Sequence, residues 1–230
     1  MKRILLKLSC LLLVSVPCFA QFEDQPAPTL DMYFTQSGTE AAAPDAKGFV
    51  RRWTLLEPIA KPEIRTNAIF TDSYLKAEFA KEVFKDQMTV LPKDGDKVKL
   101  DKKTKLTWHC FDSKLYNVKL YRFATGLGLH PTEALFWAVT VVNCPEDMTV
   151  RMAVGSNSAS MWWLDGEEVI LLSGDRRMVV DDCVSDRITL KKGKNVIRGC
   201  VINGPGMSDF CVRFLDMDGK PVTNFTVTNN

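Results

Sequence analysis

Apolar residues in this chain fall in short runs, not in a helical rhythm. From Gly48 onward they cluster at 49–59, 98–100, 106–111, 135–142, 149–154, 161–164, 169–172, 187–190, 195–202, 210–215 and 225–227. Most of these runs are too short for a helix and are rich in β-branched and aromatic residues. Turn dipeptides separate them at Asp94–Gly95, Asp165–Gly166, Lys192–Gly193, Gly204–Pro205 and Asp218–Gly219. The rhythm predicts an all-β fold, an antiparallel β-sandwich with at most one or two short helices. The one helix the pattern favours spans 73–85, where Tyr74, Ala77, Phe79, Ala80, Val83 and Phe84 recur near helical spacing after Thr71–Asp72–Ser73. Nothing alternates strand with helix, which disfavours an α/β enzyme.

Strand alternation sorts side chains by face. In 161–164, Trp162 and Leu164 share one face and Met161 and Trp163 the other, so one tryptophan is expected in the core and Trp163 on the exposed side. Asp165–Gly166 supplies the positive-φ pair of a tight hairpin. Lys192–Gly193–Lys194 is expected to do the same between 188–190 and 196–197.

The first twenty residues follow another logic. Lys2, Arg3 and Lys7 precede the apolar run 11–14, and Cys18–Phe19–Ala20 closes the segment. A basic start, a short apolar run and a small final residue predict a signal peptide cleaved near Ala20. The run is too short for stable membrane insertion, which takes roughly 20 apolar residues. Export places the mature chain in the periplasm or outside the cell. Removing the leader takes away three basic and no acidic residues, leaving 27 basic against 28 acidic, so the formal +2 becomes −1. Nucleic acid loses its electrostatic argument as a partner. Residues 21–47, rich in Pro, Ala, Thr and acidic residues, read as a loosely ordered segment with a short strand at 32–34, ahead of a sandwich domain at 48–230.

Five cysteines remain in the mature chain: Cys110, Cys144, Cys183, Cys200 and Cys211. An odd number at irregular spacing is no disulfide framework, and without a Cys-x-x-Cys or Cys/His cluster no metal site and no cofactor is expected. Cys200 and Cys211 flank the turn-forming stretch 203–208. If that stretch is a hairpin tip, the two face each other and could form a disulfide.

Residues 135–216 carry a family resemblance. Cys144–Pro145 is followed by Gly155–Ser156–Asn157–Ser158–Ala159, then by Trp162–Trp163–Leu164–Asp165–Gly166 and Asp181–Asp182. Leu190–Lys191–Lys192–Gly193–Lys194–Asn195 and Phe210–Cys211–Val212–Arg213–Phe214 complete the series. The series resembles the jelly-roll, galactose-binding-like accessory module of secreted Bacteroidetes-type polysaccharide-degrading proteins, with upstream matches at 49–58 and 105–120. The resemblance implies a jelly-roll sandwich, a polysaccharide or oligosaccharide ligand (xylan-type among them) and secreted glycoside hydrolases as partners. Similar chains often carry an acetylxylan esterase label. Asn157–Ser158 stands where the family often has two carboxylates, which weakens a calcium site in this loop.

The residues themselves lean away from catalysis. No Gly-x-Ser-x-Gly elbow occurs, and both histidines, His109 and His130, precede the last hundred residues. Glu167–Glu168 and Asp181–Asp182 are sequence neighbours that a strand would point to opposite faces, which is no glycosidase dyad. Sugar binding needs less: an aromatic face and a few polar groups. The candidates are Trp163 and Trp108 as platforms, with Asn157, Asp165, Asp175 and Arg177 on turns. The expectation is a secreted, non-catalytic carbohydrate-binding accessory protein. A carbohydrate esterase with a non-standard site, and a structural or protein-interaction module of the cell envelope, are the alternatives.

Overall fold

The computed structural model describes residues 29–230; the leader expected at 1–20 and its cleavage point lie outside them. The described residues form fourteen strands: β1 (Phe34–Gln36), β2 (Arg52–Leu56), β3 (Ile59–Ala60), β4 (Lys97–Lys99), β5 (Lys105–Ser113), β6 (Ala134–Cys144), β7 (Met148–Asn157), β8 (Ala159–Leu164), β9 (Glu167–Leu172), β10 (Cys183–Val184), β11 (Ile188–Leu190), β12 (Gly193–Asn203), β13 (Asp209–Leu215) and β14 (Thr226–Thr228). Two short helices interrupt them, α1 (Asp72–Phe79) and α2 (Leu120–Gly126).

All strand pairs are antiparallel. The large sheet runs β1-β5-β2-β6-β12-β8-β9, with β3 and β14 also pairing β6 and β4 pairing β5. In the small sheet β13 lines one edge of β7, while β10 and β11 follow one another along the other. The fold is an all-β sandwich. Its spine is the β6–β12 pair, in register from Gly193 opposite Cys144 to Asn203 opposite Ala134.

The core between the sheets follows strand alternation. Trp162 and Leu164 of β8, Ile197 and Val201 of β12, and Phe210, Val212 and Phe214 of β13 all point into it. Trp53, Trp162 and Phe210 meet edge to face, with centroids 5.8, 5.0 and 4.9 Å apart. Such aromatic pairs add to the area they bury. Gly199 lies against this cluster: a Cβ there would stand 2.3 Å from the Trp162 ring.

The other face of the large sheet is not solvated. Residues 61–100 fold over it as a third layer, and Ile64, Phe70, Leu75, Phe79 and Phe84 pack on Trp108, Trp137, Met161, Trp163, Cys200 and Ile202. Polar contacts hold this cap together. Glu78 lies between Lys61 and Lys81, and Gln87 accepts from the Val83 N–H at 2.8 Å while donating to the Lys81 carbonyl at 2.7 Å.

Four expectations are corrected. The helix expected at 73–85 starts as foreseen, with the Thr71 hydroxyl accepting from the Tyr74 N–H, but ends at Phe79. Beyond it the chain turns so that Phe84 lies edge-on to Trp108 and Trp137. The segment taken as loose up to residue 47 is tied in from residue 29: β1, two residues beyond the strand expected at 32–34, pairs β5, and Ala42 bridges Val227. Lys192–Gly193–Lys194 does not close a hairpin, because β11 belongs to the small sheet and β12 to the large one. The stretch 203–208 likewise carries the chain from one sheet to the other. Cys200 therefore faces the cap, whereas Cys211 alternates with the core-facing Phe210 and Val212 and points out from the small sheet. The possible bridge does not form, and the five cysteines among the described residues are free thiols.

Candidate functional site

The sugar-site residues expected from the sequence do not converge. Alternation correctly sends Trp163 to the face opposite Trp162, but that face is covered. Trp163 is 6% exposed, stacked on Trp137 at 5.7 Å and edge-on to Phe79 at 6.3 Å. Trp108 is buried in the same layer. Both assignments as stacking platforms are corrected, since neither ring presents a face to a ligand. Asp165 occupies the β8–β9 turn with φ +50°, and its Oδ1 accepts from the Val196 N–H at 2.7 Å. Asp175 accepts from Asn67 at 2.9 Å, and Arg177 is exposed on the same loop. Of the six, Asp165 borders a cleft shared with Glu167, Glu168, Asp186 and Lys191, and Asn157 a separate one shared with Lys119, Arg122 and Asp209.

The cleft at Asn157, of about 400 Å³, forms where several connections meet. Gly155, in β7, lets the 173–182 loop lie flat on the small sheet: a Cβ there would stand 2.0 Å from the Val179 carbonyl oxygen. This brings Met178 to one wall of the cleft, beside Asn157 at the end of β7. The opposite wall is the segment leading into α2. Val118 and Phe210 exchange backbone hydrogen bonds, and the Tyr121 N–H donates to the Ser208 carbonyl at 3.0 Å. Lys119, Tyr121 and Arg122 are thereby set against Ser208 and Asp209, and Tyr33 completes the rim. Ser158, held at φ +112°, closes the base of the β7–β8 turn by donating to Asn203 Oδ1 at 2.8 Å.

The floor is polar and incompletely satisfied. The Asp209 side chain is only 5% exposed, and its Oδ2 accepts from Lys119 Nζ at 2.7 Å and Asn117 Nδ2 at 2.6 Å. Its Oδ1 and the neighbouring Ser208 Oγ are buried without any hydrogen-bond partner. Most buried polar atoms are paired, and one that is not costs about 1–3 kcal/mol. Two such atoms in consecutive residues that line a cleft mark a place suited to a ligand's hydroxyls. The rim supplies the complementary surface, with Tyr33 and Tyr121 flanking the Arg122 guanidinium at 5.4 and 5.6 Å.

Across the 173–182 loop lies a more apolar groove of about 650 Å³, lined by Phe49, Tyr116 and Val180. Two of its charged groups, Arg213 and Asp45, are already engaged. Arg213 pairs with Asp181, lies over the Phe49 ring at 4.9 Å and donates to the Lys47 carbonyl, while Asp45 accepts from the Lys47 and Phe49 N–H groups. Ser156 Oγ faces the Asp209 carbonyl at 3.5 Å, and both histidines are engaged as well: His109 Nε2 faces Glu57 at 3.2 Å and His130 Nδ1 faces the Thr132 carbonyl at 3.0 Å. Among the described residues, no helix is long and apolar enough to cross a membrane.

No protein-family model and no curated protein matches the chain. Among solved structures it is similar to a PA14 sugar-binding domain from an RTX adhesin, at 10% identity and a TM-score of 0.46, over 78% of this chain and 95% of that one. It is similar to the PA14 domain of the MpAFP antifreeze protein, at 11% identity and a TM-score of 0.41, over 84% and 95%. It is also similar to a β-glucosidase from Kluyveromyces marxianus, at 18% identity and a TM-score of 0.35, over 54% of this chain but only 16% of the enzyme.

Proposed function

We propose that the protein is an exported, non-catalytic carbohydrate-binding module whose ligand sits in the cleft between Tyr121, Asn157 and Asp209. The observation that carries this reading is the pair of buried, unpartnered oxygens, Asp209 Oδ1 and Ser208 Oγ, in residues that line a cleft with tyrosines at its rim. A sugar offers what that arrangement lacks. Its hydroxyls donate to the carboxylate oxygen, and its ring C–H face lies against an aromatic side chain. The volume is within the roughly 300–1,000 Å³ usual for small-molecule sites. The basic start, short apolar run and Ala20 of the leader support export. The resemblance of residues 135–216 to accessory modules supports a role beside secreted glycoside hydrolases, on polysaccharides of the xylan type among others.

Isothermal titration of the mature protein with a panel of plant and bacterial oligosaccharides tests the reading. Tyr121→Ala and Asn157→Ala change partly exposed residues, so they should lower affinity about tenfold with little change in melting temperature. Absence of binding to every glycan, or wild-type affinity in both variants, would overturn the assignment.

A further inference from the structure

The cleft holds more positive than negative charge. Its lining contributes Lys119, Arg122 and Asp209 as charged groups. Lys119 is matched by Asp209 at 2.7 Å. Arg122 has no such match: among the described residues its guanidinium forms no hydrogen bond or ion pair with a carboxylate or a backbone carbonyl, and it lies against the two tyrosine rings. Elsewhere the guanidinium groups of Arg52, Arg176 and Arg213 each pair with an aspartate through two nitrogens. Arg122 thus keeps its donors at the rim, while the two tyrosines restrict its plane.

From this geometry we infer that the sugar bound in the cleft is an acidic one, a uronic-acid residue. Its carboxylate is held by the Arg122 fork, and a ring hydroxyl donates to Asp209 Oδ1. A planar guanidinium matches a carboxylate with two parallel N–H donors. Prior stacking on Tyr33 and Tyr121 reduces the side-chain freedom lost on binding. A neutral sugar can satisfy Asp209 but leaves the surplus charge unanswered; a uronate satisfies both. The inference rests on the carbohydrate-binding reading of the same cleft and adds the class of sugar.

The test is titration of the mature protein with a uronic-acid-containing oligosaccharide and with the same oligosaccharide after its carboxyl groups have been reduced to primary alcohols. At low salt the acidic form should bind at least about tenfold more tightly, the scale of one charge-assisted bidentate contact. The preference should shrink as salt rises. Arg122→Gln should remove it, so that the two forms bind alike, and Arg122→Lys, which keeps the charge but not the fork, should recover only part. Unchanged thermal melting in both variants would show that the fold is intact. Equal binding of the two oligosaccharides, or a preference that survives in Arg122→Gln, would overturn this inference and leave the carbohydrate reading standing. No binding of either form, or of any other glycan, would remove both.

Discussion

Replacing Trp163 with alanine separates a ligand platform from a structural residue. Its indole is 6% exposed, stacked on Trp137 at an interplanar angle of 17° and edge-on to Phe79 at 74°. Truncation removes the ring from between the large sheet and its cap. Buried aromatic-to-alanine changes cost about 3–5 kcal/mol, the lost transfer energy plus the cavity left behind. For a chain of this length each kcal/mol lowers the melting temperature by about 2–4 °C, so Trp163→Ala should melt roughly 6–20 °C below wild type. Urea unfolding followed by far-UV circular dichroism gives the free energy directly, and Trp163→Phe, which keeps an aromatic ring, should lose less. Glycan affinity, measured well below the variant's melting point, should be unchanged because the candidate cleft lies elsewhere. A melting temperature near wild type together with lost glycan binding would refute both the buried position of Trp163 and the choice of cleft.

Three further outcomes follow from the packing. Gly155→Ala should destabilise the protein by about 1–3 kcal/mol and raise protease sensitivity within residues 173–182, because its methyl would collide with the Val179 carbonyl; wild-type stability would show that the loop does not lie on β7. A chain beginning at Gln21 should titrate five thiols when unfolded, where a Cys200–Cys211 bridge would leave three. In the native state the two should react slowly with a thiol reagent at pH 8, since burial raises Cys200 well above the ordinary thiol range and Cys211 to about 12. The same shifts set an alkaline limit. Above about pH 9 the unfolded thiols lose protons that the folded ones keep, so stability falls with pH, by about 1.4 kcal/mol per unit for Cys211 up to its folded value near 12; a flat stability profile from pH 9 to 10.5 would contradict it.

The β-rich rhythm made the fold class legible because a strand's side-chain period is set locally. Trp162 inward, Trp163 outward and the positive-φ turn at Asp165–Gly166 (φ +50° and +90°) needed only their own neighbours. What lay beyond was sheet membership. Gly193 at φ +90° is a turn glycine wherever its flanking strands go, so a crossover from β11 to β12 looks like a hairpin in sequence. The same ambiguity at 203–208 put Cys200 and Cys211 side by side when they face opposite sides of the sandwich. The helix α2 was equally hidden. It has no side-chain cap at Lys119, and its seven residues are held by packing of Leu120, Phe123 and Ala124 more than by local preference.

The site was less legible than the fold because it is made of residues distant in sequence, each of which has an ordinary local reading. Asn157 was visible as a turn residue; Asp209 was not, because an aspartate beginning a strand looks like a solvated turn. Its meaning depends on Asn117 and Lys119, about ninety residues earlier, which satisfy one carboxylate oxygen and leave the other buried and unpaired. Tyr33 lies in a segment whose composition suggests looseness, yet β1 and the first described turn fix it beside Arg122. Sugar sites often use tryptophan, but in this chain all five tryptophans are buried, so the exposed aromatic surface of the cleft falls to tyrosine. Large aromatics in a sandwich with a third layer fill space first. The residues left to recognise a ligand are those that the connections between the sheets, not the strands, bring together.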